Sequence, residues 1–204
     1  MERYYLALGD SITTGYGVGD RGFAFRYYAY LRSLYHNFRF INRGVDGLTA
    51  SGLTHMLLAN NQLRELIARA EIITITIGSN DLMKYAVSTL HGANSNVYQM
   101  LANMEKNIDL IGQEIRRLNL KATVKVGTIY CPDLGGQYYQ SSREAQKIIS
   151  KANKVIIYSS VRHRFQIVSI DKVFYSREQL FIGKDHIHPN ILGHQAIAEE
   201  FIRS

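Results

Sequence analysis

The chain has 204 residues, of which 46% are hydrophobic and 20% charged, a balance that excludes both a disordered segment and a membrane-spanning bundle and fits one globular domain. Lys and Arg outnumber Asp and Glu by 24 to 17, for a net charge of +7, but the basic residues are scattered without a dense run, and no nucleic-acid-binding motif accompanies them. The single cysteine, Cys131, excludes an internal disulfide, and neither a signal-peptide-like stretch nor a run of the roughly 18 apolar residues needed to span a bilayer is found. The expectation is a cytoplasmic or spore-associated chain that starts inside its first strand, with a surface suited to solubility and to peripheral contact with anionic lipid.

In chain order, short apolar runs alternate with longer amphipathic stretches, the pattern of a parallel sheet crossed by helices. Strands are expected at 4–8, 38–41, 72–77, 123–126 and 165–168, and helices around 23–36, 50–69, 97–119 and 142–162, where apolar residues such as Ile108, Ile111, Ile115 and Leu118 recur at helical spacing. The segment 82–96 reads as a loop forming a mobile rim, and the segment 130–139, rich in tyrosine, as a second wall. A final helix is expected to begin at Pro189, a residue favoured in the first helical position. With no internal repeat, and with Pro132 and Pro189 the only prolines, the chain reads as a three-layer α/β/α domain over 1–204 with a five-stranded parallel sheet of the flavodoxin-like kind. In such sheets ligands lie beyond the carboxyl ends of the strands, so the residues that follow each strand carry most of the functional information.

Three of those post-strand segments, together with the loop between the last strand region and the final helix, hold the candidate groups. Gly9-Asp10-Ser11-Ile12-Thr13 delivers a hydroxyl on a tight turn. Thr13 stands where the G-x-S-x-G elbow needs a second glycine, so this is not the α/β-hydrolase signature. Asn42-Arg43-Gly44-Val45-Asp46-Gly47-Leu48-Thr49 offers two glycine N–H groups, of which Gly47, just before an expected helix, is the better placed and Gly44 the fallback. Gly78-Ser79-Asn80-Asp81 brings an amide to the same edge, although an isolated Asn there is more often a turn former or helix cap. Asp185-His186-Ile187-His188-Pro189 puts a carboxylate and an imidazole three residues apart, as a serine nucleophile requires of its base and of the group that orients the base. Strand-like alternation points His186 and His188 to the same side, so spacing alone leaves two candidate bases. The clustering of Asp185, His186, His188 and His194 raises a metal site as a weaker alternative, since no H-E-x-x-H or cysteine pair supports it.

Taken together and in this order, GDSI at 9–12, NRGVDGLT at 42–49, GSND at 78–81 and DHIHP at 185–189 resemble the four blocks of the SGNH/GDSL hydrolase family, within it the small bacterial lipase/esterase branch that includes spore-germination lipases. The resemblance implies a carboxylic-ester hydrolase with Ser11 as nucleophile, His188 as general base and acid, and Asp185 orienting His188, while His186 falls outside the triad. It places the oxyanion hole on the N–H groups of Ser11 and Gly47 and the side chain of Asn80, gives Asp10 and Asp81 structural roles, and calls for neither metal nor cofactor. Expected substrates are lipid or small acyl esters, including lysophospholipids; an acyl-CoA thioesterase or a carbohydrate O-deacetylase would use the same triad, and a silent binding module would have little reason to retain all four polar residues.

Overall fold

The computed structural model describes residues 3–35, 37–92, 96–133 and 139–204. Five strands, β1 (Arg3–Gly9), β2 (Phe38–Gly44), β3 (Ile72–Thr76), β4 (Thr123–Gly127) and β5 (Gln166–Val168), form one parallel sheet in the order β2-β1-β3-β4-β5. β1 is buried on both faces, which is why it reads as an unbroken apolar run. Its side chains nevertheless divide by the two-residue period of a strand. Leu6 and Leu8 join Ile73, Ile75, Val124 and Val126 on one face, under helices α3 (Ala50–Ala59), α4 (Asn61–Arg69), α6 (Val97–Leu118) and α7 (Tyr139–Arg162). Tyr5 and Ala7 face α2 (Phe23–Leu34), α8 (Ile170–Phe174), α9 (Glu178–Phe181) and α10 (Ile191–Arg203). The result is the three-layer arrangement expected from the sequence. No helix among the described residues is long and apolar enough to cross a membrane.

Helices form where the apolar spacing predicts them, with three departures. The stretch 50–69 is two helices, because Asn60 ends α3 and its side chain accepts the Leu63 N–H at 3.0 Å to start α4. The last helix starts at Ile191 and not at Pro189. Asn190 is its N-cap, accepting the Gly193 N–H at 3.0 Å, and Pro189 instead pairs with Ile182 in an isolated antiparallel bridge. The expected rim loop at 82–96 is helical through Leu90, as helix α5 (Ser79–Leu90). None of its side chains is fully buried, so its apolar residues left a weak periodic signal; residues 93–95 lie outside the described residues.

The register explains how distant segments meet. Gly9 at the end of β1 pairs with Gly44 of β2 on one side and with Thr76 of β3 on the other. The chain therefore leaves these three neighbouring strands at a common level, at the point where the order of connection reverses.

Candidate active site

The first segment after β1 is built to hold Ser11 still. Gly9 has φ +139°, and a Cβ there would run into the carbonyl oxygen of Thr76, so the turn requires glycine. The Asp10 N–H donates to Thr76 O (3.0 Å) and the Val45 N–H to Gly9 O (2.9 Å), stitching the turn to both neighbouring segments. Asp10 then caps the short helix α1 (Ser11–Thr14) by accepting the Ile12 N–H at 3.1 Å. Where an elbow glycine would sit, Thr13 places its hydroxyl 3.0 Å from Leu8 O and 2.7 Å from the Thr76 hydroxyl. Ser11 emerges from this frame 8% exposed.

The last segment brings a base to that hydroxyl. Ser11 O–H donates to His188 Nε2 at 3.0 Å, and His188 Nδ1–H donates to Asp185 Oδ2 at 2.7 Å. The other carboxylate oxygen of Asp185 accepts the backbone N–H groups of Ile187 (3.1 Å) and His188 (3.0 Å). Partial burial raises the Asp185 pKa, but the bonds from His188 and the two amides outweigh it and hold the carboxyl below its ordinary value. An ionised Asp185 fixes the imidazole with its proton on Nδ1, leaving the Nε2 lone pair for the serine.

His186 is turned away. Its backbone is left-handed, with φ +62°, which breaks the strand-like alternation expected from the sequence, and its ring lies 3.4 Å from Asp133 Oδ2. His194 is fully buried in α10, where its Nδ1 accepts the Phe23 N–H at 3.2 Å, so these two imidazoles do not converge with His188 and Asp185 on a common point. Among the described residues no group of three metal-binding side chains is found. Cys131 is not a rival nucleophile: burial and then the nearby Glu178 push its thiol up to about 11, so it is neutral.

The oxyanion candidates also assemble at this edge. Asn80, in the first turn of α5, donates one amide hydrogen to Leu48 O at 3.0 Å, which orients the side chain and leaves the second hydrogen without a partner among the described residues. Asp81 accepts the Ala50 N–H at 2.9 Å and Thr14 donates to Asp46 at 2.6 Å, so the three segments are tied to one another. Between the two glycines the geometry discriminates. The Gly44 N–H is taken by Asn42 Oδ1 at 2.8 Å, whereas the Gly47 N–H has no acceptor among the described residues and the residue, at φ +74°, is exposed.

Three supporting residues were not singled out by sequence reasoning. Tyr130, after β4, donates its hydroxyl to Ile187 O at 2.7 Å, and the Asp133 N–H donates to His186 O at 3.0 Å, so the segment after β4 pins the loop that carries His188. The wall expected at 130–139 is thus a clamp as far as Asp133; residues 134–138 lie outside the described residues. Tyr16 packs against His188 with ring centroids 4.4 Å apart and the ring planes tilted by 37°, and its N–H donates to Ser11 O at 3.0 Å. A tyrosine five residues after Ser11 was the available signal, but only the coiling of α1 reveals which ring it meets.

A hydroxyl, an imidazole and a carboxylate joined in this way, beside free N–H donors, can transfer an acyl group. Known proteins share the arrangement's frame. The chain is 27% identical to the spore germination lipase LipC of Bacillus licheniformis, over 98% of this chain and 95% of that one. A lipase from a goat rumen metagenome superimposes with a TM-score of 0.86 at 25% identity, covering 98% of this chain and 96% of that one. The acetylxylan esterase Axe2 of Geobacillus stearothermophilus shares the fold, with a TM-score of 0.74 at 20% identity over 98% and 93% of the two chains. Residues 5–201 match the model of the GDSL-like lipase/acylhydrolase family, and this chain belongs to that family of carboxylic-ester hydrolases.

Proposed function

We propose that the chain hydrolyses lipid or small acyl esters through an acyl-enzyme on Ser11, with the whole chain working as one hydrolase domain. The observation that carries this reading is the continuous pair of bonds from Ser11 Oγ to His188 Nε2 (3.0 Å) and from His188 Nδ1 to Asp185 Oδ2 (2.7 Å). Ser11 Oγ attacks the ester carbonyl as His188 Nε2 takes its proton. The N–H groups of Ser11 and Gly47 and the Asn80 amide receive the oxyanion. The tetrahedral intermediate then breaks its C–O bond to the alcohol, whose oxygen receives the proton from His188. Water attacks the acyl-enzyme with His188 again as base, and the carboxylic acid leaves as Ser11 regains its proton. Likeness along nearly the whole chain to a lipase named for spore germination supports a spore-associated site of action, and the net charge of +7 favours peripheral contact with an anionic lipid surface. Deacetylation of a carbohydrate is the second reading, favoured by the shared fold with an acetylxylan esterase.

Hydrolysis of p-nitrophenyl butyrate by wild type beside Ser11→Ala tests the nucleophile, and equal rates in the two would overturn it. Asn80→Ala should lower kcat by about 100- to 1,000-fold with little change in KM. An acyl-length series then separates the substrates. A maximum at acetyl supports the deacetylase, and a maximum at longer chains supports the lipase.

A further inference from the structure

A groove of about 430 Å³ opens beside His188, between the turn that follows α1 and the start of α10. Tyr16, Val18, Pro189, Ile191 and Leu192 line it together with His188, whereas Ser11, Gly47 and Asn80 do not. Three of its apolar side chains face water: Tyr16 is 49% exposed, Leu192 51% and Ile191 37%. A cluster of large apolar groups left exposed against a reactive imidazole is a surface awaiting an apolar occupant. Its walls are firmly seated. Tyr16 is held by its N–H bond to Ser11 O and by ring contact with His188, and Ile191 and Leu192 belong to the first turn of α10, which Asn190 caps.

The direction of the chemistry, on the roles proposed above, says which half of an ester lies here. When the first tetrahedral intermediate collapses, His188 Nε2 hands its proton to the departing oxygen, so that oxygen stands within hydrogen-bond reach of the imidazole. The carbonyl oxygen points instead to the Gly47 and Asn80 donors, which are not part of the groove. The substituent on the departing oxygen must therefore extend past the imidazole. The geometry points to this groove as the subsite for the alcohol half of the substrate, with an apolar alcohol as its occupant. Charge narrows the class further. The one carboxylate in the lining, that of Asp185, already commits its oxygens to His188 and two backbone amides, and the positive Lys184 stands beside it, so a cationic alcohol such as choline gains little attraction there.

The test varies one half of the ester at a time. With butyrate as the common acyl group, kcat/KM of the wild type is measured for methyl, butyl, octyl and choline esters below their solubility limits; with methanol as the common alcohol, the acyl chain is varied. The expected result is a rise of about 10-fold or more from methyl to octyl butyrate, since each methylene that leaves water favours binding by up to about fourfold, and no comparable gain for choline. Ile191→Ser with Leu192→Ser should cost about 10-fold on octyl butyrate and about twofold on methyl butyrate, without moving the optimum of the acyl series. A wild-type rate indifferent to the alcohol, or a double variant that shifts the acyl optimum and spares the alcohol dependence, would overturn the assignment. Loss of Ser11-dependent hydrolysis for every ester would overturn the proposed chemistry itself, a result distinct from both.

Discussion

Asp10 and Asp185 flank the same reaction and live under opposite pressures. Asp185 is partly open and receives three donors, so it stays charged and orients the base. Asp10 is buried, accepts from Ile12 N–H and the Thr76 hydroxyl through Oδ1, and leaves Oδ2 without a partner. Desolvation outweighs its hydrogen bonds and raises its pKa from the usual 3.8 to about 6. A carboxyl whose folded pKa is raised favours the fold most when protonated, so its contribution is largest below pH 4 and is lost as pH climbs through 6. Asp10→Asn cannot titrate. Its stability relative to wild type should therefore improve by about 2–3 kcal/mol between pH 4 and pH 7, whatever the difference is at pH 4. Urea unfolding at both pH values checks this, and a difference that stays constant refutes it. Tyr16 supplies a second test at this scale. Its ring lies against the imidazole that, in the proposed chemistry, takes up the serine proton, so Tyr16→Ala should cost about fivefold in kcat on a methyl ester and Tyr16→Phe almost nothing. The sequence pointed to Ser11 and Asn80 because each follows a strand, and to Asp185 and His188 because a carboxylate and an imidazole stand three residues apart before the last helix. Spacing alone could not choose between His186 and His188, since the direction of each ring depends on a single left-handed residue in the loop, and only the resemblance of the whole segment to a family block favoured His188.

Among the elements, α10 and α2 are joined by a bond that no propensity rule anticipates. Gly22, at the N-cap of α2, has no side chain to accept the first amides of the helix. His194 of α10 does so from a distance, taking the Phe23 N–H at 3.2 Å. Burial, followed by the nearby positive charge of Arg26 and the His188 ring, lowers the His194 pKa to about 4. A histidine depressed in this way binds fewer protons folded than unfolded. Stability is thus complete above the unfolded value of about 6.5 and falls as pH drops toward 4, by about 3 kcal/mol from this group. His194→Ala should lose about 2–4 kcal/mol at pH 7, from the cavity and the orphaned amide, and the gap to wild type should close in acid. Thermal unfolding across pH 4–7 would show the closing gap, and a parallel pair of curves would rule it out. Elements with strong apolar periods were readable from sequence, whereas α5 was not, because it lies on the surface with no fully buried side chain. The start of α10 was misplaced for a different reason: Pro189 suits a first helical turn, but its bridge to Ile182 and the Asn190 cap prevail.

The whole molecule shows why segments far apart in the chain could be read as one site. A parallel sheet delivers the ends of its strands to one edge, so the motifs that follow β1, β2 and β3 needed only the correct strand order to meet, and β1 between β2 and β3 is the order that does it; the fourth lies in the loop between α9 and α10, which Tyr130 pins through Ile187 O. What the pattern hid is the inequality of the two faces. The face toward α3, α4, α6 and α7 is aliphatic, whereas the face toward α2 and α10 carries Thr74, bonded to the Tyr5 hydroxyl, and the buried Lys125 in β4. Lys125 appeared in sequence only as an interruption of an apolar strand. Its ammonium donates to Phe201 O at 2.7 Å, near the negative end of α10, and lies 5.4 Å from the centre of the Tyr27 ring. It thereby ties the sheet to α2 and α10, but burial lowers its pKa, so holding the charge there works against the fold. Lys125→Met keeps the bulk and removes the charge, and at pH 7 it should lie within about 1 kcal/mol of wild type, whereas Lys125→Ala should lose about 2–4 kcal/mol to the cavity. A lysine with a lowered folded pKa stabilises more as pH rises toward its unfolded value of about 10.4, so the balance between Met and wild type should move in favour of wild type from pH 7 to pH 10. If Lys125→Met instead lost as much as Lys125→Ala at pH 7, the bond to α10 would outweigh the cost of the buried charge, and the polar face of the sheet would depend on that bond for its stability.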